Sequence, residues 1–269
     1  MIQIKSVAEV ARMRAAGLVV AETLAAVRDA LAPGVTPRDL DALAEREIRS
    51  RGAVPSFLGY HGYPATLCVS VNDEIVHGIP GRRPLCDGDL VSVDCGAVLD
   101  GWHGDSAVTL AVGEVPAETR RMVVACEDAM WAGIAAMRAG GRLRDVGTAI
   151  EQSVRASGPY GIVEQYGGHG IGTEMHQDPH VLNHRTRQRG PKLVPGLVLA
   201  IEPMITLGSP ETELQADGWT VTTADGSWAA HTEHSVAVTE SGPWVLTALD
   251  GGADRLTRLG VATPASAEA

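Results

Sequence analysis

The sequence predicts an α+β fold in which two helix pairs are each followed by antiparallel strands around a central sheet. Three observations predict it. Helical periodicity appears twice in pairs, at residues 6–31 and 36–51 and again at 117–138 and 143–157. Short alternating strands follow each pair. A shift of 106 residues aligns LAPGVTPRDLDALAEREIRSRG with MRAGGRLRDVGTAIEQSVRASG, matching Arg38 to Arg144, Asp39 to Asp145, Glu45 to Glu151 and Arg49 to Arg155. The echo has two readings: unrelated helices that share favoured residues, or an internally duplicated domain with two half-sheets meeting at the centre. The second is preferred, with halves of about 6–112 and 113–250.

The elements follow in order. Ser6 begins the first helix, with Glu9 three residues on as a capping box requires, and Pro33-Gly34 ends it. Thr36 caps the second, with Pro37 at its first position. Residues 66–80 read as two short strands around Asn72-Asp73, and 88–112 as a hairpin with Asp100-Gly101 at the tip. After the second helix pair, strands are expected at 162–166, 198–206, 219–223 and 228–247, the last broken near Gly242. Residues 1–255 form one domain in this reading, and 256–269, small and polar at their end, form a loose tail.

Composition excludes several classes. The net charge of −11 argues against general binding of DNA, which needs a basic surface. The four cysteines, Cys68, Cys86, Cys95 and Cys126, form no C-x-x-C pair, so a zinc ribbon or redox motif is not expected. There is no signal-peptide pattern at the N-terminus and no run of 18 apolar residues, so a cytoplasmic protein that does not span the membrane is expected.

The chemistry lies in acids placed where strands should be apolar. In VSVDCGAVLDGWHGDSAVTL, residues 91–110, Asp94 interrupts one hairpin strand and Asp105 the other. A two-residue turn at Asp100-Gly101 puts 94 opposite 107, so Asp105 becomes a diagonal neighbour on the same face, roughly 7–8 Å away or less. A cation would relieve both their repulsion and their lost hydration. Solvated acids flanking a turn are the other reading. Glu202 stands in LAIEPM and Glu233 opens the strand of TEHSVAVT, and four such acids in four strands strain the solvated explanation. YGGHGIGTEMHQDPH adds His169 among glycines that free its side chain. HExxH and the phosphate-loop pattern are absent. Four carboxylates and one imidazole suit hard or borderline cations, and the number is natural for two ions, which can share a bridging hydroxide.

Taken together, GYHGYPATLCVSVNDEIVHGIP, DCGAVLDGWHGDSAVT, GGHGIGTEMHQDP, LAIEPM and TEHSVAVT strongly resemble the bacterial type I methionine aminopeptidases, from about residue 3 to about 250. The resemblance implies the pita-bread fold, with pseudo-twofold halves. It implies removal of N-terminal methionine from nascent proteins when the second residue is small, by attack of a hydroxide held between two divalent ions (Co, Mn, Fe(II) or Zn). Asp94 would chelate the first ion, His169 and Glu202 the second, and Asp105 and Glu233 would bridge them. Glu233 would shuttle the proton, while His77 and His176 contact the substrate. The methionine pocket would be lined by Tyr60, Tyr63, Cys68 and Trp219, with Phe57 and Met175 at edge positions where other members often carry Cys and Phe. A monomer is implied.

Two competing readings share the fold: an Xaa-Pro aminopeptidase or prolidase, which normally carries a separate N-terminal domain, and a non-catalytic binding protein, which would lose metal ligands. Finally, HRTRQRGPK, residues 184–192, concentrates Arg185, Arg187, Arg189 and Lys192 on an acidic chain. It reads either as a solvated loop or as a contact with ribosomal RNA near the nascent chain.

Overall fold

The computed structural model describes residues 2–264. Helices α1 (Val7–Ala30) and α2 (Pro37–Ser50) come first. Strands β1 (Val54–Pro55), β2 (Leu67–Val71) and β3 (Glu74–Val76) lead into a hairpin of β4 (Leu90–Leu99) and β5 (Trp102–Ala111). Helices α3 (Ala117–Ala135) and α4 (Leu143–Ser157) open the second half. Its strands are β6 (Gly161–Ile162), β7 (Gly168–Gly170), β8 (Gln177–Val181), β9 (Val198–Ile201), β10 (Met204–Thr206), β11 (Thr212–Leu214), β12 (Val221–Thr223), β13 (Ala229–His231), β14 (Glu233–Thr239) and β15 (Gly242–Val245). Helix α5 (Ala253–Arg258) follows. Among the described residues, no helix is long and apolar enough to cross a membrane.

Local chemistry explains the boundaries. The Ser6 hydroxyl accepts the Glu9 N–H while the Glu9 carboxylate accepts the Ser6 N–H at 2.7 Å, closing the expected capping box. Thr36 and Asp39 repeat this device at α2, with Pro37 at its first position. Asp100 and Gly101 both have positive φ, +49° and +79°, as a type I′ hairpin turn requires. That turn fixes the ladder, and Asp94 lies opposite Ala107.

Some expectations differ. The run 198–206 splits at Glu202-Pro203, because proline donates no ladder hydrogen bond. The strand expected at 162–166 shortens to Gly161–Ile162. The glycine-rich stretch, where no strand was predicted, contains β7 and leads into β8. Gly168 and Gly170 fit there because a Cβ on either would collide with a neighbouring backbone carbonyl. A loose tail from residue 256 is also not what forms. Leu256 is fully buried, Val261 and Thr263 are buried, and the Val261 N–H donates to the Leu256 carbonyl. Residues 265–269 of that tail lie outside the described residues.

The main sheet runs β1-β4-β5-β14-β9-β7-β8, with β2 also on β4 and β15 on β14. Its midpoint is the antiparallel β5–β14 pair, where the two halves of the chain meet. Each half buries its own core. One packs Val20, Leu40 and Ile48 against Val91 and Val93. The other packs Met122, Ile134 and Ile150 against Leu199 and Ile201. The odd-numbered residues of β4 and β9 therefore face the helices, and the even-numbered ones face the opposite side. Helix α1 crosses the hairpin at nearly bare backbone: a Cβ on Gly104 would sit 2.8 Å from the Gly17 nitrogen, and one on Gly17 would sit 2.2 Å from the Leu246 carbonyl oxygen.

Candidate metal centre

Two adjacent rungs on the face away from the helices carry the centre. The first runs Asp94, Ala107, Glu233 by ladder pairing. Continuing the β14–β9 register one residue past His234↔Ile201 brings Glu202 opposite Glu233. The second runs Gly96, Asp105. One step beyond Ser106↔His234 puts Ser235 beside Asp105. The Asp105 N–H donates to Ser235 Oγ at 3.1 Å, and that hydroxyl donates to the Asp105 carbonyl at 2.8 Å. Ser235 pairs with Ala200, and His169 precedes the Gly170 that pairs with Leu199. Small residues at 96, 107, 200 and 235 leave the space between the acids open. About the central pair Ser106↔His234, Asp105 and Glu233 are each other's mates, one residue to either side of the joint between the halves.

The electrostatics are those of a site built for positive charge. Asp94, Asp105, Glu202 and Glu233 are all buried. Burial pushes Asp94 up to about 7, and Glu202 up to about 8. Asp105 and Glu233 rise well above the ordinary carboxylate range through burial, reinforced by neighbouring acids. Asp94 Oδ1, Asp105 Oδ1 and Glu233 Oε1 are buried without any hydrogen-bond partner. Native proteins rarely leave such acceptors bare. Divalent ions satisfy these atoms and cancel the repulsion, so the donor set fits them. Single oxygen or nitrogen atoms of Asp105, His169 and Glu233 lie within 4.8 Å of one another, as do those of Glu202, His231 and Glu233.

His169 has the chemistry of a neutral ligand. Burial lowers it to about 3, with His176 adding to the shift. Its Nδ1–H donates to the Gly170 carbonyl at 3.0 Å, which leaves Nε2 with a lone pair. Nε2 lies 3.5 Å from Glu202 Oε1, and burial disfavours charge on both groups.

One cleft joins this centre to Phe57, Tyr60, Tyr63, Cys68, His77, Met175, His176 and Trp219, so every residue expected at the site lines it. Phe57, Tyr63, Cys68 and Met175 are buried together and form the apolar end, with Trp219 beside them. Gly96 allows Phe57 to enter, since a Cβ there would lie 2.8 Å from the Phe57 ring. The Tyr63 hydroxyl donates to the carbonyls of Leu67 and Gly78, and its ring meets Trp219 edge-on at 5.1 Å. His77 adopts a left-handed backbone, φ +61°, an uncommon conformation for a non-glycine residue and one that clusters at functional sites. Burial lowers it to about 4. His176 stands at the exposed mouth, 2.9 Å through Nδ1 from the Tyr60 hydroxyl, with its ring 4.3 Å from that of His169.

One residue was missed. His231 is buried at the centre, 3.5 Å through Nε2 from Glu202 Oε2. In AAHTEH it sits two residues before an acid already assigned, and the only available signal was a polar ring inside an otherwise apolar strand end. Arg185, Arg187, Arg189 and Lys192 take no part in the centre. They are exposed on the loop between β8 and β9, beside the start of α4.

Comparison with known proteins gives consistent results. The model of metallopeptidase family M24 matches residues 11–240. Methionine aminopeptidase 1 of Mycobacterium tuberculosis is 55% identical over 249 residues, covering 90% of this chain and 94% of that protein. The crystal structure of a methionine aminopeptidase from Thermotoga maritima superimposes with a TM-score of 0.90 at 40% identity, covering 92% of this chain and all of that one. A prolidase from Pyrococcus furiosus, 21% identical with a TM-score of 0.73 over 91% of this chain and 65% of its own, shares the fold alone.

Proposed function

This chain belongs to metallopeptidase family M24, and from that membership we infer that it removes the N-terminal methionine from polypeptides by metal-dependent hydrolysis. The observation that carries the reading is the single cleft in which an apolar end adjoins four buried carboxyl groups, three of them with an oxygen that has no hydrogen-bond partner. A thioether packs well against the Phe57, Tyr63 and Trp219 rings.

We assign two divalent ions to Asp94, Asp105, His169, Glu202 and Glu233. Asp94 serves the first, His169 and Glu202 the second, and the paired acids at the joint, Asp105 and Glu233, serve both. Such ions supply, when bound, an activated water and a polarising charge. The chain's own groups do the rest. Glu233 takes the proton of the attacking water and returns it to the departing amine. His77 and His176 hydrogen-bond the scissile amide and its tetrahedral successor. The Tyr60 hydroxyl holds His176 through Nδ1, which leaves Nε2 to face the substrate. The second residue of the substrate is small, because bulk there meets these imidazoles. The ligand set accepts Co, Mn, Fe(II) or Zn.

The substrates are nascent chains in the cytoplasm, and the enzyme acts as a monomer. The exposed Arg185, Arg187, Arg189 and Lys192 make a transient contact with ribosomal RNA. Reversing these charges lowers co-sedimentation with ribosomes, and unchanged binding refutes that contact.

Methionine release from Met-Ala-Ser, measured across a metal series with ion stoichiometry, tests the central reading. Release is expected only with divalent metal. Faster cleavage of Ala-Pro-Ala would point to the Xaa-Pro aminopeptidase activity instead.

A further inference from the structure

His231 has no task in the five-ligand scheme, yet it is as buried as any ligand in it. It ends β13, opposite Met204, and is 1% exposed. Its backbone is clamped to β5: the N–H donates to Thr109 Oγ1 at 2.9 Å, and the Thr109 hydroxyl donates to the His231 carbonyl at 2.6 Å. The ring therefore has a fixed base. Its Nε2 has no hydrogen-bond partner and lies 3.5 Å from Glu202 Oε2.

The arrangement around Glu202 is two-sided. His169 Nε2 is 3.5 Å from one carboxylate oxygen and His231 Nε2 is 3.5 Å from the other. That separation is long for an N–H···O hydrogen bond, which is about 2.7–3.2 Å. It suits two donors on one ion: with bonds of about 2.1 Å and a near-tetrahedral angle, the donor atoms stand roughly 3.4 Å apart. His231, Glu202 and Glu233 also form a compact triad, and Glu233 is shared with the triad of Asp105 and His169.

We propose that His231, through Nε2, is a sixth protein ligand of the centre, sharing an ion with Glu202 and Glu233. The centre then holds two imidazoles rather than one. The added nitrogen shifts its preference from Mn towards Co, Fe(II) and Zn. The inference rests on the metal-centre reading above, and its test separates the two.

The protein is loaded with Co(II), and hyperfine-shifted, exchangeable imidazole N–H resonances are counted by proton NMR. Two are expected in the natural chain and one in His231→Gln. Calorimetric titration of His231→Gln with Co(II) is expected to show one ion bound about 10–100-fold more weakly. A single shifted imidazole in the natural chain, with superimposable isotherms for chain and variant, overturns the role of His231 and leaves the centre standing. No shifted imidazole at all overturns the centre itself. The count in the unmodified chain decides even if the variant does not fold.

Discussion

Replacing Glu202 by Gln is expected to stabilise the metal-free protein above pH 7 while removing a proposed metal ligand. Burial raises Glu202 from 4.5 to about 8, so a proton is kept in the folded state that the unfolded chain has already lost. Stability linked to that proton is fully present below about pH 4.5 and disappears as pH rises through about 8. At 1.36 kcal/mol per pKa unit, the difference at pH 8 is about 4 kcal/mol as an upper bound. Sharing of the burden among four acids and entry of water into the cleft reduce this to about 1–3 kcal/mol, or roughly 2–10 °C in Tm. Buried neutral histidines act with the opposite sign. His77, His169 and His234, held at about 3 to 4, add stability that is complete once pH exceeds the unfolded value of 6.5. Both chains carry those histidines, so the difference between them isolates the acid. The assay is thermal unfolding followed by circular dichroism in chelator, from pH 5 to pH 9. The Gln variant should gain on the natural chain as pH rises, and methionine release should collapse. A variant less stable than the natural chain at pH 8, or a gap independent of pH, would refute the reasoning.

Three further outcomes are expected. Asp105→Asn removes a shared carboxylate and should lower kcat/KM for Met-Ala-Ser by at least about a thousandfold, with metal content falling too; near-normal turnover with Mn would exclude a bridging role. His176→Ala should reduce turnover by about 10²–10³-fold with metal content nearly unchanged, and parallel losses would make His176 a ligand rather than a substrate contact. Gly17→Ala should destabilise the fold by about 1–3 kcal/mol despite alanine's helix propensity, because its Cβ would press on the Leu246 carbonyl; an unchanged or raised denaturation midpoint in urea would contradict that packing.

The hairpin was legible because its chemistry is local. Asp100-Gly101 dictated a two-residue turn, the turn dictated register, and register put Asp94 and Asp105 on one face. Helix starts at Ser6 and Thr36 were legible for the same reason. Pairings between distant segments were not. No local pattern says that β5 meets β14, and β7 is hidden because its glycines carry no apolar alternation while serving close backbone contacts. The four acids and one imidazole stood out because each interrupts apolar sequence or sits among glycines. His231 did not, since its significance comes from Glu202, which is 29 positions away (231 − 202) in the break between β9 and β10.

The β5–β14 joint has a kinetic consequence. Ala107 and Glu233 pair across 126 residues of chain (233 − 107). Contacts of such separation require a large loop to close before they return any stabilisation, and they form late in folding. The hairpin with Asp94 and Asp105 can close on its own, but the imidazoles and glutamates arrive only with the second half. High-affinity metal uptake is therefore a reporter of the final docking event, and a chain arrested before it would look helical and compact while holding its ions weakly or not at all.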